Sequence, residues 1–309
     1  MSLVIHSEAD HYEETVPEAR KQQFENRDRL VSSITLQDEF QVSDQLALTG
    51  GLRYDHYDDI GEKLSPRIAA VYRINKHRGA RRRHILKAQY ARAFRPPTFL
   101  EIYAMDDPGK NASDIESETI DTYELGYVYR DMSTVGRITI FYSDIEARVG
   151  EIGRNLRRFH SKGVEVELER ALIPDVLKLD GNFSYADTED QDTGDAIPEA
   201  ANWLANIGLI YQPCQMLSLG LQYRYVGDRE DKPENGGNTG QYHTVDITAS
   251  LFRLGIRNLT LRGGVKNLFE DDMRYVSQTG GNDYIENDFS HAEVSHPSRW
   301  WWIEISYEF

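Results

Sequence analysis

The sequence has few of the features that define the common helical, disulfide-rich or nucleic-acid-binding proteins. Its 309 residues contain one cysteine, Cys214, which excludes an intrachain disulfide framework and a cysteine-based zinc site. It has no run of the roughly 18 apolar residues that a membrane-spanning helix needs. It is also poor in positive charge, because 35 Lys and Arg against 51 Asp and Glu give a net charge of −16. Such an acidic chain is not expected to bind nucleic acid.

The motifs of catalysis and of cofactor binding are missing as well. No nucleophile elbow, phosphate-binding loop or zinc-ligand motif occurs, so the chain is predicted not to be an enzyme and to need no cofactor or metal. The closely spaced acids Glu165 and Glu167 and the acidic stretch 187–195 are typical of solvated faces. Catalytic carboxylates and a calcium site remain alternatives for these residues.

The sequence does have many aromatic residues, 18 Tyr, 11 Phe and 4 Trp, within segments that alternate between apolar and polar residues. In 217–225, for example, Leu217, Leu219 and Leu221 alternate with polar or small residues, and this period of two predicts a strand. Thirteen strands are predicted in total. They lie near 29–42, 46–58, 62–73, 83–94, 117–130, 135–148, 155–170, 176–188, 201–212, 216–228, 241–253, 258–268 and 298–309.

The lengths of these strands and of their connections favour a membrane barrel. Many of the strands are longer than the five or six residues usual in globular sheets, and a tilted transmembrane strand needs about 9–11. The connections alternate between short turns, near 44, 133, 174, 214 and 255, and the long segments 95–116, 189–200, 229–240 and 269–297. The connections at 59–61 and 74–82 fit less well. Short turns at one rim and long loops at the other are typical of outer-membrane barrels, although a large soluble β-protein remains open at this point.

Short motifs occur along the chain in a fixed order. They are 36–40 (LQDEF), 48–55 (LTGGLRYD), 65–67 (SPR), 92–97 (RAFRPP), 123–127 (YELGY), 163–165 (GVE), 266–269 (KNLF) and the final 307–309 (YEF). Together they cover about residues 28–309 and resemble the C-terminal barrel of TonB-dependent outer-membrane receptors.

The resemblance implies an all-β fold, an antiparallel up-and-down transmembrane β-barrel of which this chain supplies about 13 strands of the 22 in the family barrel. Residues 29–309 would be the C-terminal portion of the barrel, and residues 1–28 an added start followed by the end of an extracellular loop. Met1-Ser2-Leu3 leads into a polar stretch without signal-peptide character, and neither a plug nor a TonB box is recognised. The implied location is the cell outer membrane of a Gram-negative bacterium.

The function that the resemblance implies is active uptake of a scarce nutrient. The expected cargo is a ferric siderophore, with haem or cobalamin as alternatives. The implied partners are the TonB complex, acting through an N-terminal region, the barrel-assembly machinery and outer-membrane lipid. The alternatives are a carbohydrate-binding β-module and a passive porin, but a terminal Phe309 on an alternating strand has no purpose in a lectin.

Candidate site residues follow from the loops and from the C-terminus. Arginine can pair with an anionic chelate and aromatic rings can stack on catecholate or macrocycle rings. The ligand-contact candidates chosen on that basis are Arg95, Tyr103, Arg229, Tyr275, Tyr284 and His291. Ile305, Tyr307 and Phe309 resemble the C-terminal signal read by the barrel-assembly machinery. The basic segment 78–83 (RGARRR) is predicted to be a solvated hairpin tip, with nucleic acid or anionic lipid as the other possible partners.

Overall fold

The computed structural model describes most of the chain and leaves gaps mainly in the long connections. The described residues are 2–12, 27–75, 81–99, 102, 116–149, 155–197, 200–230, 238–253, 255, 258–275, 294–295 and 298–307. No helix within these ranges has the length and apolar character needed to cross a bilayer.

The described residues form eighteen strands, fourteen of which belong to one antiparallel sheet. In chain order they are β1 (Ser2–Tyr12), β2 (Arg27–Gln41), β3 (Leu46–Tyr57), β4 (Gly61–Arg73), β5 (Arg83–Arg95), β6 (Glu118–Arg130), β7 (Thr134–Val149), β8 (Asn155–Ile173), β9 (Leu177–Asp190), β10 (Trp203–Cys214), β11 (Leu217–Val226), β12 (Arg229–Glu230), β13 (Asn238–Thr239), β14 (Tyr242–Phe252), β15 (Leu259–Lys266), β16 (Arg274–Tyr275), β17 (Val294–Ser295) and β18 (Trp300–Tyr307).

The large sheet is a meander. Its order is β1 to β11 in sequence, then β14, β15 and β18, while β12–β13 and β16–β17 form two small ladders inside long connections. Because every strand of this sheet pairs antiparallel with the next strand of the same sheet along the chain, successive connections lie at opposite rims. This confirms the predicted separation of short turns from long loops. The rim that carries connections such as 58–60 and 96–117 is called the loop-side rim below, and the opposite one the turn-side rim.

All thirteen predicted strands are present, but the prediction for the start of the chain was wrong over Ser2–Tyr12. These residues were expected in an extracellular loop, yet they form β1, which pairs with β2 from Ser2 opposite Gln37 to Tyr12 opposite Arg27. The period of two is hidden here because Leu3, Val4 and Ile5 are consecutive apolar residues. Residues 13–26, also within that predicted loop, lie outside the described residues. Among the described strands no ladder joins β1 to β18, so the sheet has two edges.

The two faces of the sheet differ as the alternation predicts. Ile140 of β7 lies opposite Leu125 of β6 and Val164 of β8, and both Ile140 and Leu125 are 57% exposed. The other face carries polar pairs across neighbouring strands, for example Arg137 with Glu167 at 2.7 Å. In a family barrel the apolar face would meet lipid and the polar face would line the lumen.

Aromatic side chains border the apolar face at both rims. On the loop side the ring centroids of Tyr185 and Trp203 are 4.3 Å apart. On the turn side the centroids of His84 and Tyr129 are 5.2 Å apart. Aromatic residues prefer the interface between lipid and water, so these two borders mark the limits of the apolar band.

Charge placed on the apolar face is expected to oppose folding in lipid. Ile140→Arg should destabilise the intact protein by about 2–4 kcal/mol, because it puts a guanidinium near the middle of the apolar band. Thr139→Arg is the control, because the neighbouring residue faces the polar side and the substitution should cost less than about 1 kcal/mol. Urea titration of the protein folded into liposomes measures both values. Equal losses for the two variants would contradict the assignment of faces.

Candidate ligand-binding rim

The loop-side rim contains a buried cluster around Arg29, at the start of β2. Its Nη2 lies 2.7 Å from Asp59 Oδ2, with the two side chains only 7% and 14% exposed. The same nitrogen donates to the carbonyl oxygen of Pro97 at 3.0 Å. The guanidinium carbon is 4.9 Å from the Phe99 ring centroid and 5.7 Å from that of Tyr57. These five residues are called the Arg29 clamp below.

The Arg29 clamp fixes the beginning of the long connection after β5. Pro97 is fully buried, and Phe99 and Ile102 are 9% and 7% exposed. The amide of Ile102 donates to the carbonyl oxygen of Thr98 at 3.1 Å. The RAFRPP motif therefore leads into a packed segment of the rim, anchored by a residue far away in sequence.

Arg95 is the best-described ligand-contact candidate. It ends β5 and makes a bidentate pair with Glu118, Nε to Oε2 at 2.6 Å and Nη2 to Oε1 at 2.7 Å. Its side chain is 47% exposed. An anionic ligand could therefore reach the guanidinium, but it would compete with Glu118.

Arg229 occupies a different environment. It is buried, and its guanidinium carbon lies 5.7 Å from the Tyr242 ring centroid. Arg229 follows β11, whereas Arg95 ends β5, and the two strands are six places apart in the sheet order. At about 4.8 Å per strand this is roughly 29 Å along the sheet. The structure does not bring these two arginines together on neighbouring strands.

The other predicted site residues are only partly described. Tyr275 lies in the short strand β16, and its side chain is outside the described residues. Tyr103, Tyr284, His291 and Phe309 are also outside them. Ile305 and Tyr307 of β18 lie on the apolar face and are 70% and 49% exposed.

The acidic stretch 187–195 is divided between the two faces. Asp187 pairs with Lys162 at 3.2 Å and Glu189 contacts His160 at 3.0 Å. Asp190 instead accepts from the backbone amide of Asp192 at 2.9 Å and closes a tight turn. No group of three or more possible metal ligands converges within the part of the chain that the structure describes, so the calcium alternative gains no support there. The alternating directions of strand side chains explain this separation.

The KNLF motif begins at Lys266, the last residue of β15. Asn267 is 2% exposed and has a positive φ of 49°. Its backbone amide donates to Asp246 Oδ1 at 2.9 Å, and its side-chain amide donates to the carbonyl oxygen of Asp271 at 2.8 Å. Its Oδ1 accepts from the Asp271 amide at 3.0 Å. Asparagine fits because it tolerates the left-handed region and supplies both a donor and an acceptor.

Two substitutions at Asn267 should separate the contribution of its side-chain hydrogen bonds from that of its left-handed backbone conformation. Asn267→Gly keeps the backbone conformation and loses two hydrogen bonds, which should cost about 1–3 kcal/mol. Asn267→Ala should cost about 1 kcal/mol more, because alanine also strains the left-handed backbone. Urea unfolding of the intact protein in liposomes gives the free energy of unfolding of each variant. An alanine variant as stable as the glycine variant would contradict a role for the backbone conformation.

Comparison with known proteins places this sheet in a family. The family model described as TonB dependent receptor-like, beta-barrel matches residues 7–268. The ferrienterobactin receptor of Escherichia coli is 22% identical over 323 residues, which are 90% of this chain and 42% of that receptor. A crystal structure of the ferric enterobactin receptor from Pseudomonas aeruginosa matches with a TM-score of 0.73 and 22% identity, over 96% of this chain and 47% of that one.

The same fold also serves another cargo. A structure of the copper transporter OprC matches with a TM-score of 0.71 and 18% identity, over 91% of this chain and 50% of the other. At such identities the likeness establishes the fold alone. The relatives are transport receptors rather than enzymes. The chain spans a little under half the length of the curated relatives that it matches.

The fold and the family match agree on what this sheet is. The sheet is the wall of an outer-membrane β-barrel from a Gram-negative bacterium, with the short turns on the periplasmic side. This confirms the predicted fold class and location. The family model covers most of the 309 residues, and the chain belongs to the TonB-dependent receptor-like β-barrel family.

Proposed function

We propose that the protein to which this chain belongs is an outer-membrane receptor that imports a ferric siderophore of the catecholate class. The observation that carries the proposal is the similarity, over 90% of the chain, to receptors for ferric enterobactin. The carbohydrate-binding alternative is not favoured, because the curated relatives are receptors for ferric enterobactin. The chain itself would form part of the barrel wall and would catalyse no reaction.

The geometry of the loop-side rim fits this proposal. A ferric catecholate complex is a bulky anion, and a guanidinium can donate two parallel hydrogen bonds to its oxygens. Arg95 is half-exposed at the rim and could meet such a ligand in the mouth of the lumen. Arg229, Tyr103, Tyr275, Tyr284 and His291 are proposed to complete the contact set from the other long connections.

The proposed partners follow from the same placement. Energy would come from the TonB complex, acting through an N-terminal region of the intact receptor. The barrel-assembly machinery would recognise the outward-facing residues Ile305 and Tyr307 together with Phe309, and lipid would cover the apolar face.

Iron uptake measured in cells tests the function. A strain that lacks the gene should take up radioactive iron from ferric enterobactin slowly, and the restored gene should recover uptake only while TonB is present. Ferric hydroxamates, haem and cobalamin are the comparison cargoes. Arg95→Gln should weaken uptake at limiting ligand, whereas Arg158→Gln, which is 66% exposed on the apolar face, should not. Uptake of a comparison cargo alone would refute the catecholate assignment.

A further inference from the structure

Three exposed arginines lie together where β4, β5 and β6 reach the turn-side rim. Arg73 ends β4, Arg83 begins β5 and Arg130 ends β6. The register places Arg83 directly opposite Arg130, and it places Arg73 opposite Ile85, two residues from Arg83. These three arginines are called the lumen arginine patch below.

Strand alternation fixes the direction in which the lumen arginine patch points. Lys87, four residues after Arg83, lies opposite Gly126 of β6, which in turn lies opposite Thr139 on the polar face of β7. Cross-strand partners share a face, and so do residues an even number apart in one strand. The whole patch therefore points from the polar face into the lumen, whereas His84 of the aromatic border points the other way.

The positive charge of the patch is not balanced by the residues around it. None of its three guanidinium groups forms an ion pair or a hydrogen bond with a described residue, whereas Arg137 of the next strand pairs with Glu167 at 2.7 Å. The lumen-facing positions beside the patch are Val71, Ile85 and Val128. Like charges directly opposite each other in a ladder are destabilising, so the patch favours an anion from the lumen.

Two acids near Arg130 are engaged elsewhere. Asp131 accepts from the Tyr129 hydroxyl at 2.7 Å and from two backbone amides of its own turn. These donors, the Tyr129 hydroxyl first, lower the pKa of Asp131 to about 2. Glu169 of β8, two strands away from Arg130 in the sheet, lies 3.6 Å from Lys178 Nζ.

The patch lies at the opposite end of the lumen from the proposed ligand-binding rim. Arg95 and Arg83 are the two ends of β5 and face the same way, because an even number of positions separates them. The distance between them along the strand is about 40 Å. Lys87 adds a positive charge on the same face between them. An anion that passes from the loop-side rim to the periplasm therefore meets the patch last.

We propose that the lumen arginine patch binds the anionic cargo transiently as it leaves the barrel, and that this contact speeds its transfer to the periplasm. The proposal rests on the proposed function, in which the cargo is a ferric catecholate and hence a bulky anion. Arginine and lysine side chains line pores that pass anions, and a cleft lined by one sign of charge raises the local concentration of the opposite ion. The exposed guanidinium groups can pair with oxygens of the complex and release them again.

Separate measurements of binding and of transport test the proposal in cells that carry the intact receptor. Binding of radioactive ferric enterobactin in the cold gives the dissociation constant and the number of surface sites. Uptake at saturating ligand and growth temperature gives the transport rate per site. Reduced mobility of the unheated barrel on a denaturing gel verifies that each variant is folded.

Three variants are compared with the wild type. The patch variant combines Arg73→Gln, Arg83→Gln and Arg130→Gln, and the rescue variant has lysine at the same three positions. The control variant has an equal charge change at three other exposed turn-side arginines, Arg82→Gln, Arg170→Gln and Arg253→Gln.

We expect the patch variant to bind ferric enterobactin at the surface as tightly as the wild type does. Its transport rate per site should fall about tenfold, the lower end of the effect of a one-sign cleft on the local concentration of an ion. The lysine variant should recover most of the rate because it keeps the charge, and the control variant should transport normally. If the patch variant does not fold, Arg130→Gln alone should lower the rate and Arg130→Lys should restore it.

The outcomes that contradict the proposal are distinct from failure of the proposed function. A wild type that neither binds nor imports ferric enterobactin would refute the proposed function, and this proposal with it. A wild type that imports it, with a patch variant of equal rate or an equally slow control variant, would overturn this proposal alone. A patch variant of normal rate that unfolds at lower urea in liposomes would also overturn it, and would assign the patch to an acidic protein segment of the intact receptor.

Discussion

Gly163→Ala is expected to reduce folding of the intact barrel more than alanine at any other glycine that the structure describes. A Cβ at Gly163 would lie 2.5 Å from Cζ of Phe141 and would also overlap the carbonyl oxygen of Tyr185. The Phe141 side chain could turn aside, but the backbone of Tyr185 is held in the ladder between β8 and β9. Overpacking that has to move backbone should cost about 3 kcal/mol.

Gly50→Ala is the matched control for this substitution. Gly50 also lies inside a long strand, but a Cβ there would meet nothing within 4 Å. Its stability should change by less than about 1 kcal/mol. Urea titration in liposomes measures both variants, and the mobility shift of unheated protein on a denaturing gel gives the folded fraction. A Gly163→Ala variant as stable as Gly50→Ala would show that the ring and carbonyl do not restrict this position.

Arg29→Ala is expected to release the segment that begins the long connection after β5. The substitution leaves the buried Asp59 carboxylate without its cation, and the other oxygen, Asp59 Oδ1, already has no hydrogen-bond partner among the described residues. Removing one member of a buried pair typically costs 3–5 kcal/mol, and we expect about that loss here. The stacking of the guanidinium on Phe99 is lost as well.

Hydrogen exchange of backbone amides shows whether Arg29→Ala releases this segment. The amide of Ile102, which donates to Thr98, should exchange much faster in Arg29→Ala, while amides in β9 should be unaffected. Arg158→Ala is the control, because its 66% exposed side chain should contribute at most about 1 kcal/mol. Arg29→Met combined with Asp59→Leu should recover most of the lost stability, since no charge is then left buried. An unchanged exchange rate at Ile102 in Arg29→Ala would contradict the clamp.

The sequence was sufficient to predict the strands because the period of two is a direct consequence of strand geometry. In β11, Leu217, Leu219 and Leu221 alternate with residues of the polar face, and the predicted and observed strands coincide within two residues. The two rims could be predicted because successive connections of a meander lie at opposite ends of the sheet. The lengths of the connections are then enough to tell the rims apart. β1 was missed because consecutive apolar residues conceal the same period.

The rim contacts could not be predicted from the sequence. Arg29 reaches Asp59 and Pro97 across 30 and 68 residues, and nothing in the local sequence marks Arg29 or Asp59 as partners.

The central claim, that this sheet is a membrane-spanning wall with lipid on its apolar face, is tested most directly by a nitroxide scan along β11. Single spin labels at each position from 217 to 226 are introduced into the intact protein in liposomes, and their collision rates with oxygen and with a polar nickel reagent are compared. We predict a period of two, with positions 217, 219, 221, 223 and 225 accessible to oxygen and shielded from nickel. Equal access of both reagents along the whole strand would contradict the account.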